Sequence, residues 1–101
     1  MARGQFNNEE KKWIRAILDI GCIVCHRNGF QTPAEVHHLK SGGVRIGHSH
    51  SIPLCMIHHR SGRNDDDAVS RHPWKKQFEI MYGKEDDLYE YTKSLIELRD
   101  R

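Results

Sequence analysis

Three cysteines and one histidine fall into two pairs that have the spacing of metal ligands. Cys22-x-x-Cys25 is followed, after 29 intervening residues, by Cys55-x-x-His58. Two residues between ligands let one tight turn present both to the same ion, and four thiolate or imidazole ligands complete a tetrahedral zinc site. All three cysteines belong to these pairs, and an odd number fits a disulfide framework poorly. The sequence therefore predicts a closed structural zinc site rather than incidental buried thiols.

The histidines suggest a second, reactive site. The chain has eight of them, all in its middle part. A neutral imidazole is a suitable base for activating water at pH 7, and a divalent cation beside it can stabilise a phosphorane and its leaving oxygen. On a strand, His37 and His38 would point to opposite faces, so one could face a metal and the other a substrate. On a helix, His59 would project about 100° around from His58, toward a second site.

These residues need elements that position them, and the clearest are helices at the two ends of the chain. Asn7 or Asn8 can cap a first helix, whose apolar residues recur at helical spacing until Gly21 ends it. Its apolar stripe is predicted to face the core. The other predicted elements are a strand within 34–39, a helix that begins near Cys55 or Met56, a helix from Trp74 that Gly83 ends, and a helix that starts near Glu85.

The predicted fold class is a small α+β domain, in which N- and C-terminal helices flank a zinc-stapled ββα-metal centre. We treat residues 1–101 as one domain. It comprises an N-terminal helix (1–21), zinc knuckles and the ββα core (22–63), and C-terminal helices (64–101). The middle segment consists of short apolar pieces separated by glycines, so we expect metal binding rather than an ordinary hydrophobic core to hold it.

Charge and hydropathy restrict the partners. Residues 1–63 carry nine Lys or Arg against four acids, whereas residues 64–101 carry seven against ten. A basic half favours a polyanionic partner such as nucleic acid. No apolar run approaches the ~20 residues that cross a bilayer, and the N-terminus lacks the apolar stretch of a signal peptide. A cytoplasmic protein is the expectation.

The chain resembles the HNH endonuclease family, whose core is a ββα-metal motif. The likeness rests on Gly21-Cys22-x-x-Cys25, on Glu35-Val36-His37-His38-Leu39, and on Ile52-Pro53-Leu54-Cys55-x-x-His58-His59-Arg60. It is greatest to small phage and prophage proteins of this family, including the recombination-enhancement nucleases that act with a recombinase filament. The resemblance implies a metal-dependent DNA endonuclease or nickase of phage or prophage origin.

The resemblance also implies roles for the histidines. His38 matches the family's general base, His37 the metal-ligand position before it, and His59 the final histidine of the motif. His50 falls at the family's central Asn, and His72 is an additional candidate ligand. Most of the family has Asp where His37 stands, and imidazole in its place shifts the expected ion from Mg²⁺ toward Zn²⁺, Mn²⁺ or Ni²⁺.

Four cations near these motifs are candidates to neutralise phosphates: Lys40, Arg45, Arg60 and Arg63. DNA is thus the expected partner, with a recombinase filament as a second one. Two alternatives stay open: a non-catalytic zinc module that binds nucleic acid or protein, and a prophage remnant that keeps the fold without turnover. A bare module should hold one tight ion, whereas a nuclease should hold a second, exchangeable divalent ion.

Overall fold

Short helices and short strands alternate along the chain. The computed structural model describes residues 7–41, 44–45, 47 and 49–99, without the side chains of 41 and 44–45. Its elements are α1 (Asn8–Ile20), α2 (Ile23–Arg27), β1 (Glu35–His38), β2 (Lys40–Ser41), β3 (Val44–Arg45), β4 (Ser51–Leu54), α3 (Met56–His59), α4 (Lys75–Tyr82) and α5 (Glu85–Arg99). They form a small α+β domain, as the sequence predicted.

Helix α1 has well-defined ends. Asn7 is the N-cap, and its side chain and that of Glu10 each accept a hydrogen bond from the other's backbone N–H. At the other end Gly21 has φ 83°, and a Cβ there would lie 2.6 Å from the carbonyl oxygen of Thr32. Glycine alone meets both conditions, so it fixes where α1 ends and where the first cysteine pair begins.

The sheet that carries the histidine doublet has two antiparallel strands, β1 and β4. Their register pairs His37 with Ile52 and His38 with Ser51. His37 is buried and His38 is half-buried, consistent with the alternation expected of neighbouring strand residues. Strands β2 and β3 form a second pair, and α3 follows β4 directly.

The hydrophobic core gathers residues from the whole chain. The middle segment supplies Ile23, Ile52 and Leu54, which pack with Phe78 of α4 and Leu88 of α5, all fully buried. The expectation that this segment has no ordinary core was therefore wrong, because its short apolar pieces are covered by helices from elsewhere in the sequence. No described helix combines the length and apolarity needed to cross a membrane.

Candidate metal centres

The two ligand pairs predicted from the sequence meet in space. The ligand atoms of Cys22, Cys25, Cys55 and His58 all lie within 4.8 Å of one another. The Sγ atoms of Cys25 and Cys55 are 3.9 Å apart, and His58 Nδ1 is 3.6 Å from the Sγ of both Cys22 and Cys25. Ligands about 2.3 Å from a central zinc are separated by about 3.8 Å along a tetrahedral edge. The cluster therefore fits a zinc ion.

Two short helices bring these ligands together. Cys22 is the N-cap of α2 and Cys25 lies in its first turn, while Cys55 and His58 occupy the same positions in α3. An N-cap residue and the third residue after it lie on one side of a helical turn. Each pair is therefore set by local geometry, and the packing of α2 against β4 aligns the two pairs.

Burial opposes charge on two of these thiols, Cys22 and Cys55. It raises the pKa of Cys22 to about 12 and also raises that of Cys55, whereas burial lowers the pKa of His58. The thiols are thus protonated unless a cation replaces their protons, so metal binding here must release protons. The chemistry of these side chains therefore suits a bound divalent ion better than free reactive thiolates.

A second cluster consists of three histidines. The ligand nitrogens of His37, His59 and His72 lie within 4.8 Å of one another. Their ring centroids form a nearly equilateral triangle with sides of 5.1, 5.2 and 5.2 Å. Burial lowers the pKa of both His59 and His72, so these rings are neutral at pH 7 and have lone pairs available for a metal.

The loop between α3 and α4 delivers the third histidine. The backbone N–H of His72 donates to the carbonyl of His59 at 2.9 Å, and that of Arg71 donates to the carbonyl of His58 at 2.9 Å. The fully buried Ser70 anchors the loop, since its hydroxyl accepts from the backbone N–H of Arg63 at 3.0 Å. His72, which precedes a cis peptide bond to Pro73, is thereby fixed beside His59.

Two of the three histidines, His37 and His59, each form a hydrogen bond with a carboxylate. Glu85, the first residue of α5, hydrogen-bonds to His37 Nε2 and accepts from Arg71 Nε at 2.8 Å. Burial favours the neutral acid, but the hydrogen bonds from His37 and Arg71 outweigh it and hold the pKa of Glu85 at about 2. Glu85 is therefore ionised at neutral pH and occupies one nitrogen of the His37 ring.

Glu35 makes the equivalent arrangement on His59. Its Oε1 lies 2.8 Å from His59 Nδ1, and Arg60 donates to both of its oxygens. These hydrogen bonds, led by those from Arg60, lower the pKa of Glu35 to about 2. Each Arg–Glu–His chain leaves the other nitrogen of its histidine available, a pattern common around metal-ligating histidines.

The chain matches a protein family over residues 7–97, nearly its whole length. The family is described as recombination enhancement, RecA-dependent nuclease. The chain belongs to this family. A comparison with curated proteins gave no match. Membership in a family of RecA-dependent nucleases supports a general role as a nuclease in recombination, and it agrees with the recombination-enhancement resemblance seen in the sequence.

Not every histidine expected at the reactive site of this family member lies there. His50 stacks on Tyr89, with ring centroids 4.2 Å apart, and among the described residues it is outside the cluster of His37, His59 and His72. His38 is on the opposite face of β1 from His37. The structure thus brings together three of the four candidate catalytic-metal ligands.

The candidate phosphate-binding cations have varied surroundings. Arg60 is paired with Glu35 and Arg63 with Asp65, although both guanidinium groups remain partly exposed. Lys40 is exposed on β2, and the side chain of Arg45 lies outside the described residues. Two of these cations therefore already have anionic partners within the chain.

Sequence reasoning missed the supporting residues Glu85 and Arg71. Glu35 is the only acid between Asp19 and Asp65, and that isolation is a usable signal, because a single acid among histidines and arginines has obvious partners. Nothing in the local sequence marks Glu85, which is one of several acids at the start of α5.

Proposed function

We propose that this protein is a metal-dependent DNA endonuclease or nickase of the HNH type, which hydrolyses phosphodiester bonds in recombination. The observation that carries the proposal is the convergence of His37, His59 and His72 from three separate segments, with Glu85 and Glu35 supporting two of them. The pairing of β1 with β4 and the position of α3 directly after β4 support a ββα-metal motif. The family match supports a nuclease.

The donor set fits a second divalent cation. Three imidazole ligands favour borderline ions such as Zn²⁺, Mn²⁺ or Ni²⁺ over Mg²⁺. When bound, the ion supplies Lewis-acid stabilisation of charge on the phosphate and the leaving oxygen. His37, His59 and His72 would hold it, while the cysteine cluster would hold a structural zinc.

His38 is the proposed general base. A water oxygen forms a bond to phosphorus, the bond from phosphorus to the leaving sugar oxygen breaks, and the water proton passes to the His38 imidazole. The position of His38 at the end of β1, half-buried and one residue after the proposed metal ligand His37, supports this role. A neutral imidazole at pH 7 can accept that proton.

A nicking assay on supercoiled plasmid tests the proposal. We compare the wild type with His38→Ala in Mg²⁺, Mn²⁺, Ni²⁺ or a chelator, each with and without a RecA filament on DNA. We expect cleavage to need a divalent ion, to be absent in His38→Ala, and to increase with the filament. His26→Ala, whose half-buried ring contacts Tyr91 instead, is the matched control.

Metal content and folding of His38→Ala must match those of the wild type. Full cleavage by that variant would remove His38 from the mechanism. No cleavage by the folded, zinc-loaded wild type under any of these conditions would refute the nuclease and leave the non-catalytic zinc module. A single bound ion per chain would support the same conclusion.

A further inference from the structure

A cleft runs between α1 and α5, and the residues that line it are distinct from the ligands of both metal clusters. It has a volume of about 810 Å³. Helix α1 lines it with Lys12, Trp13 and Arg15, and α5 lines it with Tyr89 and Lys93. Nothing in the proposed hydrolytic chemistry uses this cleft.

Two residues that line the cleft, Trp13 and Tyr89, are aromatic, and together with His50 they form a column of rings. His50 stacks on Tyr89 with an interplanar angle of 29°, and the Tyr89 centroid lies 5.3 Å from that of Trp13. Trp13 Nε1 donates to the carbonyl oxygen and hydroxyl of Ser51 at 3.2 and 3.1 Å, which fixes the indole. All three rings are half-buried and so keep part of their surface accessible. Unpaired nucleic-acid bases stack on such rings regardless of sequence.

The rim of the cleft carries available positive charge. Lys12, Arg15 and Lys93 are exposed, and none of them forms an ion pair with any residue in the described ranges. Two acids line the cleft: Asp19, which is paired with Arg99 at 2.9 Å, and the exposed Glu9. Backbone phosphates are therefore better matched here than at Arg60 and Arg63, which have partners.

The cleft also lies next to the histidines. Ser51, which holds Trp13, is the cross-strand partner of His38, and directly opposed residues of an antiparallel pair project from the same face. Tyr89 lies one helical turn after Glu85, the residue that contacts His37. A strand lying in the cleft would therefore pass beside the proposed base.

We propose that the cleft between α1 and α5 binds one unpaired strand of DNA and leads it to His38, an inference that rests on the proposed nuclease function. Bases would stack on the aromatic column while Lys12, Arg15 and Lys93 contact phosphates. A duplex could reach the cations but not the rings, because its bases are already stacked.

Fluorescence anisotropy with a labelled oligothymidylate tests the cationic contacts. The zinc-loaded full chain is used without added divalent ion, so that binding is measured without turnover. We expect Lys12→Glu/Lys93→Glu to weaken binding by on the order of tenfold or more and to reduce the salt slope by about 1.4, since each phosphate contact contributes about 0.7. The matched control, Lys75→Glu/Lys76→Glu, makes the same charge change on exposed residues of α4.

Trp13 fluorescence tests the stacking. Trp74→Phe leaves Trp13 as the only tryptophan, and we expect the oligothymidylate, but not a duplex of the same length, to quench its emission. If the two double variants lose equal affinity for the oligothymidylate, or if binding does not quench Trp13 emission, the cleft is not the site that binds the unpaired strand. Plasmid cleavage by the wild type under those circumstances would leave the proposed nuclease intact, whereas absence of both binding and cleavage would refute the two together.

Discussion

Replacement of Glu85 should weaken metal binding at the histidine cluster without affecting the cysteine cluster. Its side chain is 13% exposed and bridges His37 and Arg71, so it fixes the ring orientation and tautomer of His37. Loss of an outer partner of a metal-ligating histidine typically reduces affinity about 10–100-fold. This range corresponds to about 1.4–2.7 kcal/mol of binding free energy.

The change also has a cost in folding. Glu85→Ala leaves the side chains of His37, 5% exposed, and Arg71, 17% exposed, without their shared acceptor. An unsatisfied buried group of this kind costs about 1–3 kcal/mol. Glu85→Gln keeps an oxygen that can accept from one of them, so we expect its metal affinity and stability to lie between those of Glu85→Ala and the wild type.

Calorimetric titration with Mn²⁺, on protein whose cysteine site already holds zinc, measures the effect. Zinc content provides an internal control, and Glu90→Ala, an exposed acid on the same helix, provides an external one. If the wild type binds Mn²⁺ and Glu85→Ala binds it equally well, the carboxylate does not position His37 and the reasoning is wrong. If the wild type binds no second ion, the metal site itself is absent.

Three further predictions concern the fold. Cys25→Ala should lose zinc and unfold at a much lower temperature, because a structural zinc contributes about 10 kcal/mol or more to folding; unchanged metal content and melting temperature would contradict the four-ligand site. Gly21→Ala should lose about 1–3 kcal/mol of unfolding free energy in a denaturant titration, given φ 83° and the contact with Thr32, and an unchanged midpoint would show that the backbone adjusts freely. The Arg63 hydrogen bond and two backbone N–H groups lower the pKa of Asp65 from 3.8 to about 2. The ionised carboxylate therefore stabilises the fold fully above pH 3.8, and this contribution is lost as the pH falls toward 2. Acid unfolding should show Asp65→Asn less stable than wild type at pH 5, with the difference closing toward pH 2, whereas a difference independent of pH would argue against this role of Asp65.

The elements at the two ends of the chain were predictable because their signals are local. Capping by Asn7, termination at Gly21 and the break at Gly83 each depend on a few neighbouring residues, and the structure confirms all three. The core of the middle segment was not predictable in the same way. Ile52 and Leu54 look too isolated to form a core until Phe78 and Leu88 are placed over them.

The candidate sites also have one part that local sequence predicts and another part that depends on tertiary packing. The sequence by itself determined the two ligand pairs, since residues three apart at the start of a helix must share one side of a turn, and it determined that His37 and His38 face opposite ways on a strand. Only the tertiary structure decided which histidines meet. The loop after α3 brings His72 to His59, whereas stacking on Tyr89 keeps His50 elsewhere. The same packing places Glu85 against His37 from far along the sequence, a contact that depends on how α5 docks and that no spacing rule can encode.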